Sequence, residues 1–476
     1  NNERRCKCGG GGGIKDQTPS RRLRLSRDKL LKGRSQAPKA GAPVDASCDT
    51  RRIREMRLMS SSATDFSPAA GDLAAIPLED LDPSHSDYFQ SGAHHAIFRR
   101  LRAEAPVHYS KTGPSGPFWS VTRHEDIVAI DTNHHDFSSK RDIVIGDQGE
   151  AFAPPMFIAQ DPPIHDIQRK AAAPAVAPAR LSELEALIRA RLGAILDDLP
   201  LNEEFDWVDK VSIELTTQML ATLFDFPWED RRLLPYWSDV TTSSELVGNF
   251  DIPMADRHRI LGEECLPYFM RLWSERAAAA PKFDFISLLA HDPGTARMIE
   301  NPMEFLGNLM LLIVGGNDTT RNSISGGVYA LNQYPDEYAK LRKDPSLIPN
   351  MVSEFIRWQT PLAHMRRTAV RDVEFQGRKI AAGDRVVMWY VSGNRDETVF
   401  ADPDRLIIDR ANARRHVAFG FGIHRCMGNR VAEMQLKILW EEIMKRYSWI
   451  EVVGAPRLVR SNFVLGYETL PVRLHG

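Results

Sequence analysis

Residues 419–428 read Phe-Gly-Phe-Gly-Ile-His-Arg-Cys-Met-Gly, so three glycines surround one cysteine, Cys426. Glycine allows a backbone to approach a flat, bulky ligand more closely than any other residue. Cys426 precedes an amphipathic segment, and the start of a helix is expected to favour its thiolate. His424, Arg425 and Arg430 add positive charge nearby. The pattern indicates a thiolate ligand, and the alternative is a buried cysteine in a glycine-rich turn.

A second group of chemical side chains lies at 315–320, Gly-Gly-Asn-Asp-Thr-Thr, inside a predicted long helix. Two adjacent glycines weaken a helix by about 1 kcal/mol each relative to alanine. A hydroxyl at this point competes for backbone carbonyls and favours a local kink. Asp318 and Thr319 therefore predict a groove for a small polar ligand, and the alternative is an irregular helix without chemistry.

The Phe-Gly-x-Gly-x-His-x-Cys-x-Gly string at 419–428 resembles the haem-binding loop of the cytochrome P450 family, the haem-thiolate monooxygenases. The resemblance covers about residues 75–476. It implies a haem b cofactor, with Cys426 as the axial ligand of the iron and with Phe419 and Gly420 packed in the loop beneath the thiolate. A thiolate in that position supplies electron density that favours cleavage of an O–O bond.

The resemblance gives the acid and the alcohol of the long helix a role in oxygen activation. It implies that Thr319 holds dioxygen and a water, and that Asp318 relays protons as a general acid. A haem-thiolate protein that binds a ligand without turnover has no need of this pair. A peroxide-driven enzyme is expected to carry a cation in its place.

Four cationic side chains match the residues that hold the two haem propionates. His165 and Arg169 are four residues apart, which places both on one face of a helix and suits a single anion. By resemblance these two, together with Arg367 and His424, bind the propionates. Arg366 is adjacent to Arg367 and is an alternative for that position.

Glu354 and Arg357 are three residues apart on a helix that Pro361 ends. Such a pair on a surface contributes only about 0.2–0.5 kcal/mol. The resemblance implies instead a buried structural Glu-x-x-Arg element, with Arg405 as its third member.

The predicted substrate pocket is apolar and has no charged group to bind a polar handle, so it favours a small hydrophobic substrate selected by shape. By resemblance its lining residues are Leu311, Val314, Gly315, Leu362, Ala363 and Met365. The strings at 315–323 and 360–367 are most similar to the soluble bacterial medium-chain alkane terminal hydroxylases. This implies hydroxylation of an alkane end or of an alicyclic compound with O2. Lys140 and Arg141 keep a fatty-acid substrate open as an alternative.

The sequence contains no phosphate-binding loop and no dinucleotide glycine fingerprint. Electrons from NAD(P)H are therefore expected to arrive through partner proteins, a ferredoxin and its reductase. Basic residues near the Cys426 loop would suit an acidic ferredoxin. These are Arg414, Arg415, His416, Arg425, Arg430 and Lys437.

The elements that must position these groups are mainly helical. Apolar residues recur at helical spacing over 181–199 and 436–447. The long helix should begin at Pro302 with Asn301 as its N-cap and run to Tyr334, before Pro335. Strand signals are few and late, at 373–375, 380, 386–390 and 449–473. We therefore predict a mainly α fold with small β-sheets, the helical prism of the cytochrome P450 family.

Composition limits the class of protein. The 476 residues carry five cysteines and a net charge of −2, and no apolar run is long enough to span a membrane. Residues 1–58 are basic and glycine-rich and are predicted to be a disordered or non-native tail. An organelle transit peptide is the alternative. The remainder, 59–476, is expected to be a single cytoplasmic domain without nucleic-acid partners.

Overall fold

The computed structural model describes residues 75–147, 154–244, 247 and 252–476. All of them belong to one compact unit. The tail predicted over residues 1–58 lies outside the described residues, and the boundary at residue 59 stays a prediction.

Helices dominate the described chain, as predicted. The α-helices are α1 Ser86–Gln90, α2 His94–Glu104, α3 His124–Thr132, α4 Ile164–Ala172, α5 Pro178–Asp197, α6 Glu214–Leu223, α7 Leu233–Thr242, α8 Met254–Arg259, α9 Leu266–Ala277, α10 Phe285–His291, α11 Pro302–Gln333, α12 Pro335–Lys343, α13 Ile348–Gln359, α14 Tyr390–Gly393 and α15 Asn429–Arg446. Two π-helical segments, Val208–Ile213 and Ile260–Cys265, lead into α6 and α9.

The long helix α11 begins at Pro302 after Asn301, as predicted, although the Asn301 side chain makes no capping hydrogen bond, and it ends one residue before the predicted Tyr334. It ends at Gln333 because Pro335 cannot continue it. Its 32 residues span about 48 Å at ~1.5 Å per residue. It packs against α6, α7, α13 and α15, so it forms the centre of the main core.

The strands form small sheets. They are β1 Val107–Ser110, β2 Phe118–Val121, β3 Phe137–Ser138, β4 Glu204–Asp206, β5 Met365–Ala369, β6 Val373–Phe375, β7 Arg378–Ile380, β8 Arg385–Met388, β9 Trp449–Val452, β10 Arg457–Leu458, β11 Tyr467–Thr469 and β12 Pro471–His475. The largest sheet has the order β1-β2-β8-β5-β3, with β2 and β8 parallel and the other pairs antiparallel.

The prediction located the late strands and missed the early ones. Strands β1 and β2 pair with each other, and β2 also pairs with β8, far along the chain. Strand β5 was missed too, and Tyr390, predicted to end a strand, begins the short helix α14. Four-residue strands carry too little periodicity to be distinguished locally. None of the described helices is long and apolar enough to cross a membrane.

Candidate active site

The loop before α15 is held in a tight conformation by its own backbone. Gly420 and Gly422 both have φ +65, a left-handed conformation that glycine adopts without strain. A Cβ at Gly422 would lie 2.5 Å from the carbonyl oxygen of Asp131, so no side chain fits there. The backbone N–H of Cys426 donates to the carbonyl of Phe419 at 2.8 Å, which ties the cysteine to the start of the loop.

The Cys426 thiol receives a hydrogen bond from Gly428, the N-cap residue of α15, as the predicted position before a helix implies. Helix α15 begins three residues later, at Asn429. The Cys426 side chain has accessible surface, yet protein encloses it enough that burial raises its pKa. A hydrogen bond from Gly428 and the charge of Arg169 lower the pKa of this thiol, but by less than burial raises it. A thiol in this setting becomes a thiolate when it binds a metal ion.

Three of the predicted cationic residues meet beside this loop. Arg169, in α4, donates through Nη2 to the carbonyl of Arg425, next to the cysteine. The rings of His165 and His424 lie 4.3 Å apart, edge to face. Burial, and then the charge of Arg367, lowers the pKa of His424 to about 2, so this imidazole is neutral and offers one N–H donor.

Arg367 lies near His424 but is already paired within the protein. Its Nη2 donates to Asp131 Oδ1 at 2.7 Å and its Nη1 to the carbonyl of Arg366 at 2.9 Å. Two of the five guanidinium N–H groups are thereby used. Arg366, the alternative for that role, is paired as well: its Nη1 donates to Asp147 Oδ1 at 2.6 Å and to the Gly146 carbonyl.

The residues around Cys426 fit haem. Both ring nitrogens of His424 and the Nε2 atom of His165 are buried without a hydrogen-bond partner, and such atoms are costly unless a ligand satisfies them. Arg169 adds a permanent positive charge near the thiol. An accessible thiol bordered by N–H donors matches a cofactor that carries an iron atom and two carboxylates.

Asp318 and Thr319 belong to a separate network on α11. The Thr319 hydroxyl donates to the Gly315 carbonyl at 2.8 Å, as predicted, and the helix nevertheless continues without a break. Asp318 is fully buried, with Oδ1 paired to Arg321 at 2.7 Å and Oδ2 without a hydrogen-bond partner. Burial raises the pKa of the Asp318 carboxyl, and the charge of Arg321 opposes that rise.

The Glu354–Arg357 pair is fully buried and bidentate, with both contacts at 2.7 Å. The prediction of Arg405 as the third member is wrong, because its side chain is exposed and only its carbonyl accepts a bond from Arg357. The third member is Arg410, whose Nε lies 3.1 Å from each Glu354 carboxylate oxygen. The chain turns after Arg405 and brings this later arginine inward.

The predicted substrate residues separate into two groups. Leu362 and Met365 pack against an apolar cluster, which we call the Phe463 cluster, of Ile143, Val144, Val247, Phe463 and Val464. Leu311 and Val314 are half-buried and Gly315 is exposed, so all three have accessible surface. Ala363 does not line a pocket: it is completely buried in a different cluster, near Trp389.

Sequence reasoning missed three residues near these groups: Asp131, Tyr390 and Arg410. Asp131 and Tyr390 reach the cysteine loop from α3 and α14, elements remote from it in sequence. No local pattern marks them, because their contacts exist only in the folded chain.

An accessible thiol in a glycine loop with cationic donors beside it is the arrangement of a haem-thiolate protein. The comparisons agree. The family description "Cytochrome P450" matches residues 273–470. Linalool 8-monooxygenase of Pseudomonas putida is 37% identical over 83% of this chain and 99% of its own length.

Two solved structures are more similar in sequence. Cytochrome P450-153 from Novosphingobium aromaticivorans is 49% identical, with a TM-score of 0.77 over 83% of this chain and 99% of its own. CYP153D17 from Sphingomonas sp. PAMC 26605 is also 49% identical, with a TM-score of 0.79 and the same coverage. The chain belongs to the cytochrome P450 family and is a haem-thiolate monooxygenase. The family binds haem b, uses O2 and takes electrons from NAD(P)H through redox partners.

Proposed function

We propose that this monooxygenase hydroxylates the terminal carbon of medium-chain alkanes, or the ring of alicyclic compounds. The observation that carries the proposal is the position of the Phe463 cluster. Met365 packs against it and shares strand β5 with Arg367. Residues two apart on a strand point to the same face. An apolar wall therefore adjoins the cationic groups beside Cys426, as a hydrocarbon bound near the cofactor requires.

The names of the relatives support a hydrophobic substrate. One relative is a linalool 8-monooxygenase. A methyl-branched lipid omega-hydroxylase of Mycobacterium bovis is 28% identical over 83% of this chain. The two names describe a monooxygenase of linalool and a hydroxylase of methyl-branched lipids.

The two charged residues that would favour a fatty acid lie at the protein surface. Lys140 and Arg141 are both exposed. Burial raises the pKa of the Asp147 carboxyl, but the charges of Arg366, Arg385 and Arg141 outweigh it and lower that pKa. A hydrocarbon substrate is consistent with this arrangement.

The roles of the site residues follow from their contacts. We assign Cys426 as the residue that would bind the haem iron, within a loop that Phe419 and Gly420 shape. His165, Arg169, His424 and Arg367 would supply N–H donors to the propionates. When bound, haem supplies the chemistry that activates O2 for insertion into a C–H bond.

On the α11 side, we assign Thr319 to position dioxygen and a water, and Asp318 to hold and deliver a proton. Burial raises the pKa of the Asp318 carboxyl against the opposing charge of Arg321, and a raised pKa suits an acid that delivers protons, which supports the second assignment.

The redox partner would dock on the cationic surface behind the cysteine loop. A cavity of about 520 Å³ is lined there by Arg414, Arg425 and Lys437, together with Glu185 and Glu433. Because the three basic residues outnumber the two acids, an acidic ferredoxin suits this surface.

The test is an optical titration of the ferric, haem-loaded protein with octane and, separately, with octanoic acid. We expect octane alone to shift the iron from low to high spin. A shift with the acid alone would replace the proposal with fatty-acid hydroxylation. If neither compound shifts the spin state, medium-chain alkanes and medium-chain fatty acids are both rejected as substrates.

Two variants sharpen the titration. Leu362→Gln adds a polar group to the Phe463 cluster and should weaken octane binding about tenfold or more. Val370→Gln makes the same addition at a position that is 52% exposed and should not change octane binding.

A third variant tests the iron ligand. Cys426→Ala should remove the thiolate-type absorption of the reduced, carbon-monoxide-bound protein.

A further inference from the structure

Asp131 is a buried acid at a position that local electrostatics disfavours. It lies one residue before the end of α3, where the helix dipole repels a negative charge. Its side chain is 1% exposed. A buried carboxylate persists only when donors surround it. A buried acid near the C-terminal end of a helix therefore indicates that a contact elsewhere in the fold requires this residue.

Three donors from three different elements converge on this carboxylate. Arg367, on β5, donates to Oδ1 at 2.7 Å. The Tyr390 hydroxyl, on α14, donates to Oδ2 at 2.9 Å, and the backbone N–H of Phe421 donates to the same oxygen at 2.7 Å. Phe421 lies in the cysteine loop, between the two left-handed glycines. One oxygen therefore holds the loop and the other holds the arginine.

The loop could not approach Asp131 in this way with other residues at its glycines. A Cβ at Gly420 would lie 3.1 Å from Asp131 Oδ2 and from the Tyr390 hydroxyl. A Cβ at Gly422 would meet the Asp131 carbonyl at 2.5 Å. The close contact between the loop and the carboxylate therefore depends on the two glycines of the loop as well as on Asp131 in α3.

We propose that Asp131 is a positioning residue that couples Arg367 to the Cys426 loop and so fixes two attachment points of the haem relative to each other. This inference rests on the proposed roles of Cys426 and Arg367. An iron ligand and a propionate donor must both fit one rigid cofactor. Because Arg367 and the Cys426 loop are both bonded to one carboxylate, their spacing is fixed before the cofactor binds. This lowers the free-energy cost of ordering the site when haem binds.

The test compares Asp131→Asn with the wild type in the haem-loaded full chain. The asparagine oxygen can still accept from Phe421 and Tyr390, but its NH2 group would oppose the Arg367 guanidinium. We expect haem to transfer to an acceptor protein about tenfold or more faster. We also expect a positive shift of the reduction potential, because a buried negative charge is removed.

The matched control is Asp136→Asn. Asp136 also pairs with an arginine, Arg371, but that arginine is 66% exposed, so its loss should leave haem transfer and potential unchanged. Tyr390→Phe, a milder change, removes one donor from Asp131 and should accelerate haem transfer severalfold. It keeps the proposal testable if Asp131→Asn fails to fold.

A double-variant cycle separates positioning from general stability. If Asp131 acts through Arg367, most of the effect of Asp131→Asn should vanish in an Arg367→Gln background. An undiminished effect there, or haem transfer from Asp131→Asn within about twofold of the Asp136→Asn control, would overturn the proposal. A wild type without a thiolate-type spectrum would instead overturn the proposed function.

Discussion

Asp318 and Arg321 form an ion pair one turn apart on the long helix, with 2.7 Å between Oδ1 and Nη2. Arg321 also lies 3.1 Å from Asp239 Oδ1, on α7. One guanidinium thus serves two carboxylates, of which Asp318 is the fully buried one. The Oδ2 atom of Asp318 is buried without a hydrogen-bond partner, whereas its Oδ1 atom is anchored to Arg321.

Asp318→Asn should lower the rate of product formation on the order of 100-fold, the scale of general-acid catalysis. The substrate-induced spin shift should stay as in the wild type, because the side chain keeps its shape. Measuring turnover in H2O and D2O would test the assignment, and a larger solvent isotope effect is expected in the variant. Asp209→Asn, at a side chain that is 57% exposed, is the control. Undiminished turnover in Asp318→Asn would contradict the role.

Thr319→Ala should divert electrons into peroxide, with severalfold more peroxide for each NAD(P)H consumed. The variant loses the hydroxyl that we assign to dioxygen and water. Ser323→Ala is a close control, because the Ser323 hydroxyl donates to a carbonyl four residues earlier, at the same 2.8 Å as that of Thr319. Normal coupling in Thr319→Ala would remove Thr319 from the mechanism.

Arg410→Ala should destabilise the fold by about 3–5 kcal/mol, because it leaves Glu354 with one buried cation fewer. Arg405→Ala should change stability by less than about 0.5 kcal/mol, since that side chain is exposed. Denaturant unfolding of the two variants compares them directly. Equal losses of stability in the two variants would mean that the Arg405 side chain shares the role in binding Glu354 that we assign to Arg410.

Stability should fall as the pH falls below about 6.5, in part because of His364. Burial lowers the pKa of this histidine to about 3, and its two ring nitrogens contact the Ile145 N–H and the Asn462 carbonyl, which fixes the neutral form. Below about pH 6.5 the unfolded chain binds a proton that the folded chain does not. The free energy of unfolding therefore decreases as the pH falls, down to about pH 3.

Unfolding midpoints measured between pH 7.5 and pH 5 would isolate this contribution. His364→Gln should flatten the pH dependence, whereas His85→Gln, at an exposed site, should preserve it. An unchanged slope in His364→Gln would show that other groups account for the acid sensitivity.

The sequence by itself determined the helical fold, the boundaries of α11 and the Cys426 loop. Each depends on neighbouring residues: a proline that starts or stops a helix, or glycines around a cysteine. Helical periodicity over 181–199 and 436–447 likewise predicted α5 and α15, because an amphipathic helix repeats its buried face every turn.

Only the tertiary structure decided which distant groups meet. Arg410 rather than Arg405 reaches Glu354, Arg366 turns away to Asp147, and Ala363 is enclosed in the core. Asp131 meets the cysteine loop from a helix almost 300 residues earlier, at 2.7 Å from the Phe421 nitrogen. Local patterns fix the conformation of a segment, but the direction of a side chain and its neighbours depend on how remote segments pack.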